Sequence, residues 1–202
     1  MNRISLLTNI LQTFLFCDPG LCQISTDSVV TIVIKTELGD IQAELYLKKA
    51  PVTCANFLKY VSLCGDRGGT FYRTVTMDNQ PDSKVKIEVI QGGFNLEGFD
   101  TAQIIPIPLE RTSKTGLSHK NGTLSMARSD PDSGSTEFFI CIGDQPSLDY
   151  GGMRNPDGQG FAAFGRVIQG MDIVKKIQTS SAIGQSLTPP TRIIKITATV
   201  IP

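Results

Sequence analysis

The stretch TIVIKTELGDIQAELYL, residues 31–47, sets the architecture. Thr31 to Thr36 is rich in β-branched residues and Gly39-Asp40 sits at a turn. Ile41, Ala43, Leu45 and Leu47 then alternate with Gln42, Glu44 and Tyr46. Period-two alternation on either side of a turn reads as a hairpin with one face on a core. Downstream, Pro51 opens a helix at a position where its missing N–H costs nothing. Cys54, Phe57, Leu58, Val61 and Cys64 follow at helical spacing, and Gly65 closes the helix. Further short strands are predicted at Thr70–Thr74, Val85–Gln91, Gly122–Ala127, Glu137–Ile142 and Ala162–Val167. A second helix runs over Met171–Gln178 with Met171, Val174 and Ile177 inward. In the last segment Ile194, Ile196, Ala198 and Val200 point one way and Lys195, Thr197 and Thr199 the other. Roughly eight strands with two helices far apart in sequence predict a mainly β fold, an eight-stranded closed antiparallel barrel capped by two α-helices. The long irregular stretches Leu96–Lys120 and Gln145–Gly160 are of the kind that carries function or covers it.

A chain of 202 residues suits one well-buried domain, and 40% hydrophobic with 19% charged residues excludes disorder and coiled coil. Nineteen basic residues balance nineteen acidic ones, so a broad cationic field, and with it nucleic acid as a partner, is not expected. The single histidine, His119, excludes histidine-rich zinc sites, and any serine or cysteine triad would have to pass through it. Neither a metal nor a cofactor is expected. No apolar run is long enough to span a bilayer. Residues 1–22 read as a leader: Arg3 is followed by a mostly apolar Ile4–Cys17, the helix breaker Asp18-Pro19, and Gly20-Leu21-Cys22 before Gln23. An amphipathic helix is the other reading, because Leu7, Ile10, Leu11, Phe14 and Leu15 share one face. The first implies a periplasmic or secreted protein, the second a cytoplasmic one. Cys54, Cys64 and Cys141 then remain, an odd set without CxxC spacing, which reads as buried free thiols.

Five short motifs occur in a telling order: Phe71-Tyr72-Arg73, Gln91-Gly92-Gly93, Leu124-Ser125-Met126-Ala127, Glu137-Phe138-Phe139-Ile140 and Phe164-Gly165-Arg166-Val167. In this order and in a chain of this size they resemble the cyclophilin-type peptidyl-prolyl cis-trans isomerases, of a bacterial kind, over residues 30–201. The resemblance implies the eight-stranded barrel closed by two helices, a peptide groove on its outer surface, and proline-containing peptides and folding proteins as partners of a monomer. It also implies roles. Arg73 takes the place of the family's catalytic arginine, and Gln91 that of the groove glutamine bonding the substrate backbone. Phe139 and Val89 line the proline pocket, and Phe161 replaces a pocket histidine. Ala127, Arg128 and Leu148 match residues touching the substrate chain, with Arg128 able to bond through its backbone. Read alone, Phe139 belongs to a core, Arg73 to a surface ion pair, and Gln91-Gly92-Gly93 to a strand end with a bulge. Their joint occurrence reverses each reading.

The implied chemistry needs few groups. Amide resonance sets a barrier of roughly 18–20 kcal/mol to rotation about the peptide bond. Uncatalysed prolyl isomerisation therefore takes on the order of 10–100 s. No bond breaks. At the twisted transition state the nitrogen loses conjugation and its lone pair becomes an acceptor. A fixed cation donating to it stabilises that state more than either planar one. Arginine, always protonated and presenting a rigid fork, suits the task. A non-catalytic proline-binding module or holdase is the alternative, motivated by changes at positions 88, 128 and 147. A hydrolase is disfavoured: His119 lies in a Ser-His-Lys-Asn loop and reads as a solvated loop histidine. The glycine-rich segment from Gly151 to Gly160 lacks the lysine of a phosphate loop and reads as the groove's flexible rim. Asn121-Gly122-Thr123 fits a glycosylation acceptor, but its place at a strand start speaks against modification.

Glu88, counted back from Gln91, stands where the family has an apolar residue. About ten extra residues around Met77–Asp82 separate Arg73 from that strand and offer a replacement. Ser147 stands where a tryptophan accompanies tight cyclosporin binding, and the chain has no tryptophan. Cyclosporin is therefore expected to bind weakly. Half-inhibition of peptide isomerisation at low nanomolar drug would contradict this.

Overall fold

The computed structural model describes residues 29–200, so the predicted leader lies outside the described residues. The chain runs β1 (Val30–Thr36), β2 (Gly39–Leu45), α1 (Pro51–Cys64), β3 (Gly69–Val75), β4 (Val89–Phe94), the one-turn α2 (Thr112–Thr115), β5 (Thr123–Met126), β6 (Glu137–Cys141), β7 (Ala162–Gln169), α3 (Met171–Gln178), β8 (Ala182–Ile183) and β9 (Ser186–Val200). Neighbouring strands follow the order β1-β2-β7-β5-β6-β4-β3-β9, all antiparallel, and β1 pairs with β9 to close an eight-stranded barrel. The two-residue β8 only extends the turn before β9. The predicted hairpin is in place with Val30 opposite Leu45 and Thr36 opposite Gly39, its strand ending before Leu47. No helix among the described residues is long and apolar enough to cross a membrane.

Inside the barrel, Ile32, Ile34, Ile41, Leu45, Phe71, Ile90, Leu124, Phe138, Ile140 and Phe164 are buried, and α1 closes one end with Cys54, Phe57, Tyr60 and Cys64. Phe57 sits among Phe94, Phe138 and Phe164 at centroid distances of 5.2–5.4 Å. The start of α1 has no local side-chain cap. The Glu110 carboxylate, 57 residues on, accepts from the Thr53 N–H at 2.7 Å and the Val52 N–H at 3.1 Å. A carboxylate at a helix N-terminus contributes about 1 kcal/mol. It also ties the long 96–120 segment to the barrel's end. Cys54, Cys64 and Cys141 are buried free thiols. Burial, then the Glu110 charge, pushes the Cys54 thiol up to about 12, so it stays protonated at neutral pH.

Gly65 caps α1 as expected, in a right-handed conformation, and the chain continues through one 3-10 turn to Gly68, whose φ of +66° makes the break. Glycine is required at 65 because a Cβ there would lie 2.4 Å from the Ile196 carbonyl oxygen. The strand placed at Val85–Gln91 begins instead at Val89, because residues 76–88 form an irregular wall. Finally, Lys195 pairs with Lys35 but Ile193 pairs with Thr36, so Ile194 is an extra residue in a bulge. The bulge turns Ile194 outward and puts Ile193 into the core beside Ile196. Ala198 keeps the side of Ile196, opposite Ile32, and is exposed there.

Candidate functional site

The barrel's outer face carries a second, smaller apolar cluster of Val75, Ile87, Val89, Phe139, Cys141 and Leu148, with Ala127 and Phe161 against it. Strand alternation produces it. On β6, Phe138 and Ile140 face the barrel while Phe139 and Cys141 face out. On β4, Ile90 and Phe94 are inward and Val89 outward. Continuing the same period backwards puts Ile87 in the outer cluster and turns Glu88 away, where its carboxylate accepts from Gln178 Nε2 at 3.3 Å. Ile87 fills the place where counting along the motif had put Glu88.

Arg73 reaches this face through a bulge. Phe71 pairs with Gly92 and Arg73 with Gln91, so Tyr72 is supernumerary against β4. Against β9, Phe71 pairs with Thr191 and Arg73 with Ser186, so on that side the extra residues belong to β9. Phe71 is fully buried in the barrel, and without the bulge Arg73, two residues on, would share its face. The glycines of Gln91-Gly92-Gly93 therefore do not form the bulge. Gly92 leaves room instead: a Cβ there would meet the Thr70 carbonyl oxygen at 2.5 Å. Once outward, Arg73 is clamped by two amide oxygens. Its Nη1 donates to Gln91 Oε1 at 2.9 Å, and its Nε and Nη2 donate to Gln185 Oε1 at 2.9 and 2.6 Å. Gln185 sits in the turn between β8 and β9 and donates in turn to the Asn79 carbonyl at 3.2 Å. Asn79 Nδ2 donates to the carbonyls of Thr74 and Gly184. The extra segment thus braces the turn, and the turn braces the guanidinium. Among the described residues no carboxylate pairs with Arg73. The other side of Gln91 is held as well: Nε2 donates to Tyr72 Oη at 2.7 Å and to Glu137 Oε2 at 3.1 Å. Tyr72 Oη donates to Glu137 Oε2 at 2.6 Å. Burial, then the Glu137 contact and charge, raise the Tyr72 pKa and keep it a donor.

These residues line one groove of about 450 Å³, and every sequence-predicted site residue is in its wall: Arg73, Val89, Gln91, Ala127, Arg128, Phe139, Leu148 and Phe161. Both readings of Phe139 hold in part, for it is 4% exposed yet forms the groove's floor rather than the barrel's core. Phe161 meets it edge-on at 5.3 Å and 90°. The Arg128 side chain does not reach into the groove as a donor. It is 1% exposed, donates from Nε to the Gly160 carbonyl at 2.7 Å, and forks onto Asp157 at 2.8 and 2.9 Å. That leaves its backbone to meet a bound chain. Asn56 of α1 donates to the Ser135 carbonyl and fixes the opposite wall. Sequence reasoning missed Ile87, Glu137 and Arg154 in the lining, and Gln185 behind it. For Ile87 and Glu137 the signal was available in the period of two, counted from Val89 and Phe139. For Arg154 and Gln185 no local pattern marks them.

His119 is not the solvated loop histidine expected from its neighbours. It is 1% exposed and lies near-parallel to Phe139, with 6.0 Å between ring centroids and 15° between planes. Its Nδ1 is 2.7 Å from Asp149 Oδ1 and its Nε2 is 2.9 Å from Ser125 Oγ. A Ser-His-Asp chain therefore does exist, but Ser125 is fully buried beneath the Phe139 floor. A nucleophile has to reach substrate. This one cannot, so the chain serves to lock the aromatic floor and the Asp149 loop to β5. Among the described residues no group of three or more ligating side chains is placed to hold a metal ion.

The sequence model for the cyclophilin type peptidyl-prolyl cis-trans isomerase/CLD family matches residues 30–200. A peptidyl-prolyl cis-trans isomerase of Acinetobacter baylyi is 36% identical over 171 residues, 82% of this chain and 81% of the relative. One from Streptomyces antibioticus is 34% identical over 163 residues, covering 79% and 91%. In structure, a cyclophilin type isomerase of Cryptosporidium parvum superposes with a TM-score of 0.67 at 20% identity, over 86% of this chain and 99% of that one. A second crystal structure of that protein, in the presence of the dipeptide Ala-Pro, gives 0.64.

With Ser125 sealed, an organophosphorus serine probe is expected to leave the folded protein unlabelled, as intact-mass spectrometry will read. Stoichiometric labelling at Ser125 would restore the hydrolase reading.

Proposed function

The chain belongs to the cyclophilin-type peptidyl-prolyl cis-trans isomerases and has their activity, and from that membership we propose how its own residues carry the reaction. The substrate is a proline-containing segment of an unfolded or folding protein, laid along the groove with the proline ring on Phe139 between Val89, Leu148 and Phe161. Burial of the ring against this apolar floor holds one side of the bond, leaving the other side to rotate. Three of the five guanidinium N–H groups of Arg73 go to amide oxygens, at 2.6–2.9 Å, which leaves two aimed elsewhere. One of these donates to the prolyl nitrogen as it pyramidalises. The partners that hold the cation are neutral, so its charge is not spent on a carboxylate, and each ~1.4 kcal/mol of preference for the twisted state gives about tenfold in rate.

Gln91 acts first as a positioning residue for Arg73 and second as a neighbour of the substrate backbone. Gln185 is a positioning residue for the same guanidinium. A passive proline-binding module would have no need for a cation held in this way. The clamp on Arg73 is the observation that favours an enzyme over a holdase.

Replacing Arg73 with Ala is expected to lower kcat for a short prolyl peptide by about a hundredfold or more. Peptide affinity should change far less, because the apolar floor stays intact. Coupled-protease or NMR exchange kinetics read the first quantity and peptide titration the second. Equal turnover in the two proteins would refute the assignment.

A further inference from the structure

The groove is polar along its length in a way that the isomerase reading does not require. The register places Glu137 opposite Gly93, Phe139 opposite Gln91 and Cys141 opposite Val89, and Ile87 continues the outward series. At ~3.3 Å per residue the Gly93 and Ile87 ends lie roughly 20 Å apart, the reach of about six extended residues. The charged side chains lining it are Arg73, Arg128, Glu137 and Arg154. Arg128 is cancelled by Asp157, and Arg73 sits at the centre beside Gln91. This leaves one charge at each end, a carboxylate and a guanidinium.

Neither end is saturated. The only contacts of the Glu137 carboxylate are made by Oε2, with Tyr72 and Gln91, and Oε1 has no partner among the described residues. The Arg154 guanidinium gives its hydrogen bonds from Nη1, to Gln80 Oε1 at 2.9 Å, Ser83 Oγ at 2.7 Å and the Val85 carbonyl at 2.6 Å. Its Nε and Nη2 donate to nothing among the described residues, and none of its acceptors is charged. Burial, then the nearby positive charge of Arg73, pull its pKa below the ordinary arginine value. A half-buried cation with another cation for a neighbour and no counter-ion favours an incoming carboxylate on both counts. The segment it pins, residues 80–85, lies in the irregular wall ahead of β4, so that wall and the 145–160 loop together build this end of the groove.

We propose that the groove selects its prolyl substrates by charge order, taking extended peptides with a basic side chain toward Glu137 and an acidic side chain toward Arg154. The reverse order meets like charge at both ends. The inference rests on the reading of the groove as the isomerase site and adds the class of substrate to it.

The test uses three peptides of equal length with one central proline. In the first, lysine lies two residues before the proline and glutamate two residues after. In the second the two are exchanged, and in the third both are glutamine. Affinity and kcat/KM are measured for each. One charge order is expected to exceed the other by about tenfold at low salt, with the neutral peptide between them. The gap should close at about 0.5 M salt. It should shrink in Glu137→Gln and again in Arg154→Gln. Because Arg154 also pins a loop, Glu137→Gln and the salt titration carry the test if Arg154→Gln does not fold. Equal values for the two orders, with the neutral peptide still isomerised, overturn the charge-order inference alone. A gap that survives in the double variant overturns it too. If no peptide is isomerised, the isomerase reading falls, and the affinity ratio still decides charge order.

Discussion

A single supernumerary residue in β3 decides what this barrel can do. A strand that enters with Phe71 buried in the core must, by its period of two, send residue 73 into the same core. A guanidinium there would lose its hydration with no acceptor to replace it, at several kcal/mol. The bulge at Tyr72 shifts the register against β4, so that Phe71 stays inside while Arg73 and Val75 face out. The place of Val75 in the outer cluster and the clamp on Arg73 follow from that one displacement. β6 supplies the complementary division without any bulge: Phe138 belongs to the barrel and Phe139 to the groove.

The loops then turn a sheet surface into a cleft. Residues 76–88 and 145–160 stand on adjacent sides of the groove and hold each other through Arg154. Asp149 anchors the second of these loops to His119, whose ring backs Phe139. The floor is therefore supported from behind by a hydrogen-bonded chain that looks catalytic in outline and is structural in position. Burial, not residue identity, separates the two roles.

Much of this was legible in the sequence because it depends on local period. The 31–47 hairpin, α1 behind Pro51 and α3 over Met171–Gln178 are where the pattern put them. All eight site residues carried over from the family motifs meet in one groove. What stayed hidden depends on contacts distant in sequence. Gln185 is a lone amide in a turn, and only the folded chain brings it to Arg73, 112 residues away. His119 looked solvated because its neighbours are polar, yet its partners are Ser125 and an aspartate 30 residues on. Ile194 sits in an alternating strand, and alternation alone cannot announce the bulge that turns it outward. Arg154 lies in a stretch rich in glycine, where composition says rim and says nothing about an unpaired charge.

Arg73 is held by neutral amides and so keeps its full charge for the twisting bond. Gln185→Glu tests this with the least disturbance, since a carboxylate oxygen accepts the same two hydrogen bonds while adding the counter-ion that the site lacks. Line-shape or exchange NMR on a saturating prolyl peptide gives the rate of interconversion on the enzyme, separately from affinity. A fall of about tenfold or more in that rate is expected, with peptide affinity nearly unchanged. An undiminished rate in a folded Gln185→Glu protein would contradict it, and would mean that the arginine's geometry matters and its uncompensated charge does not.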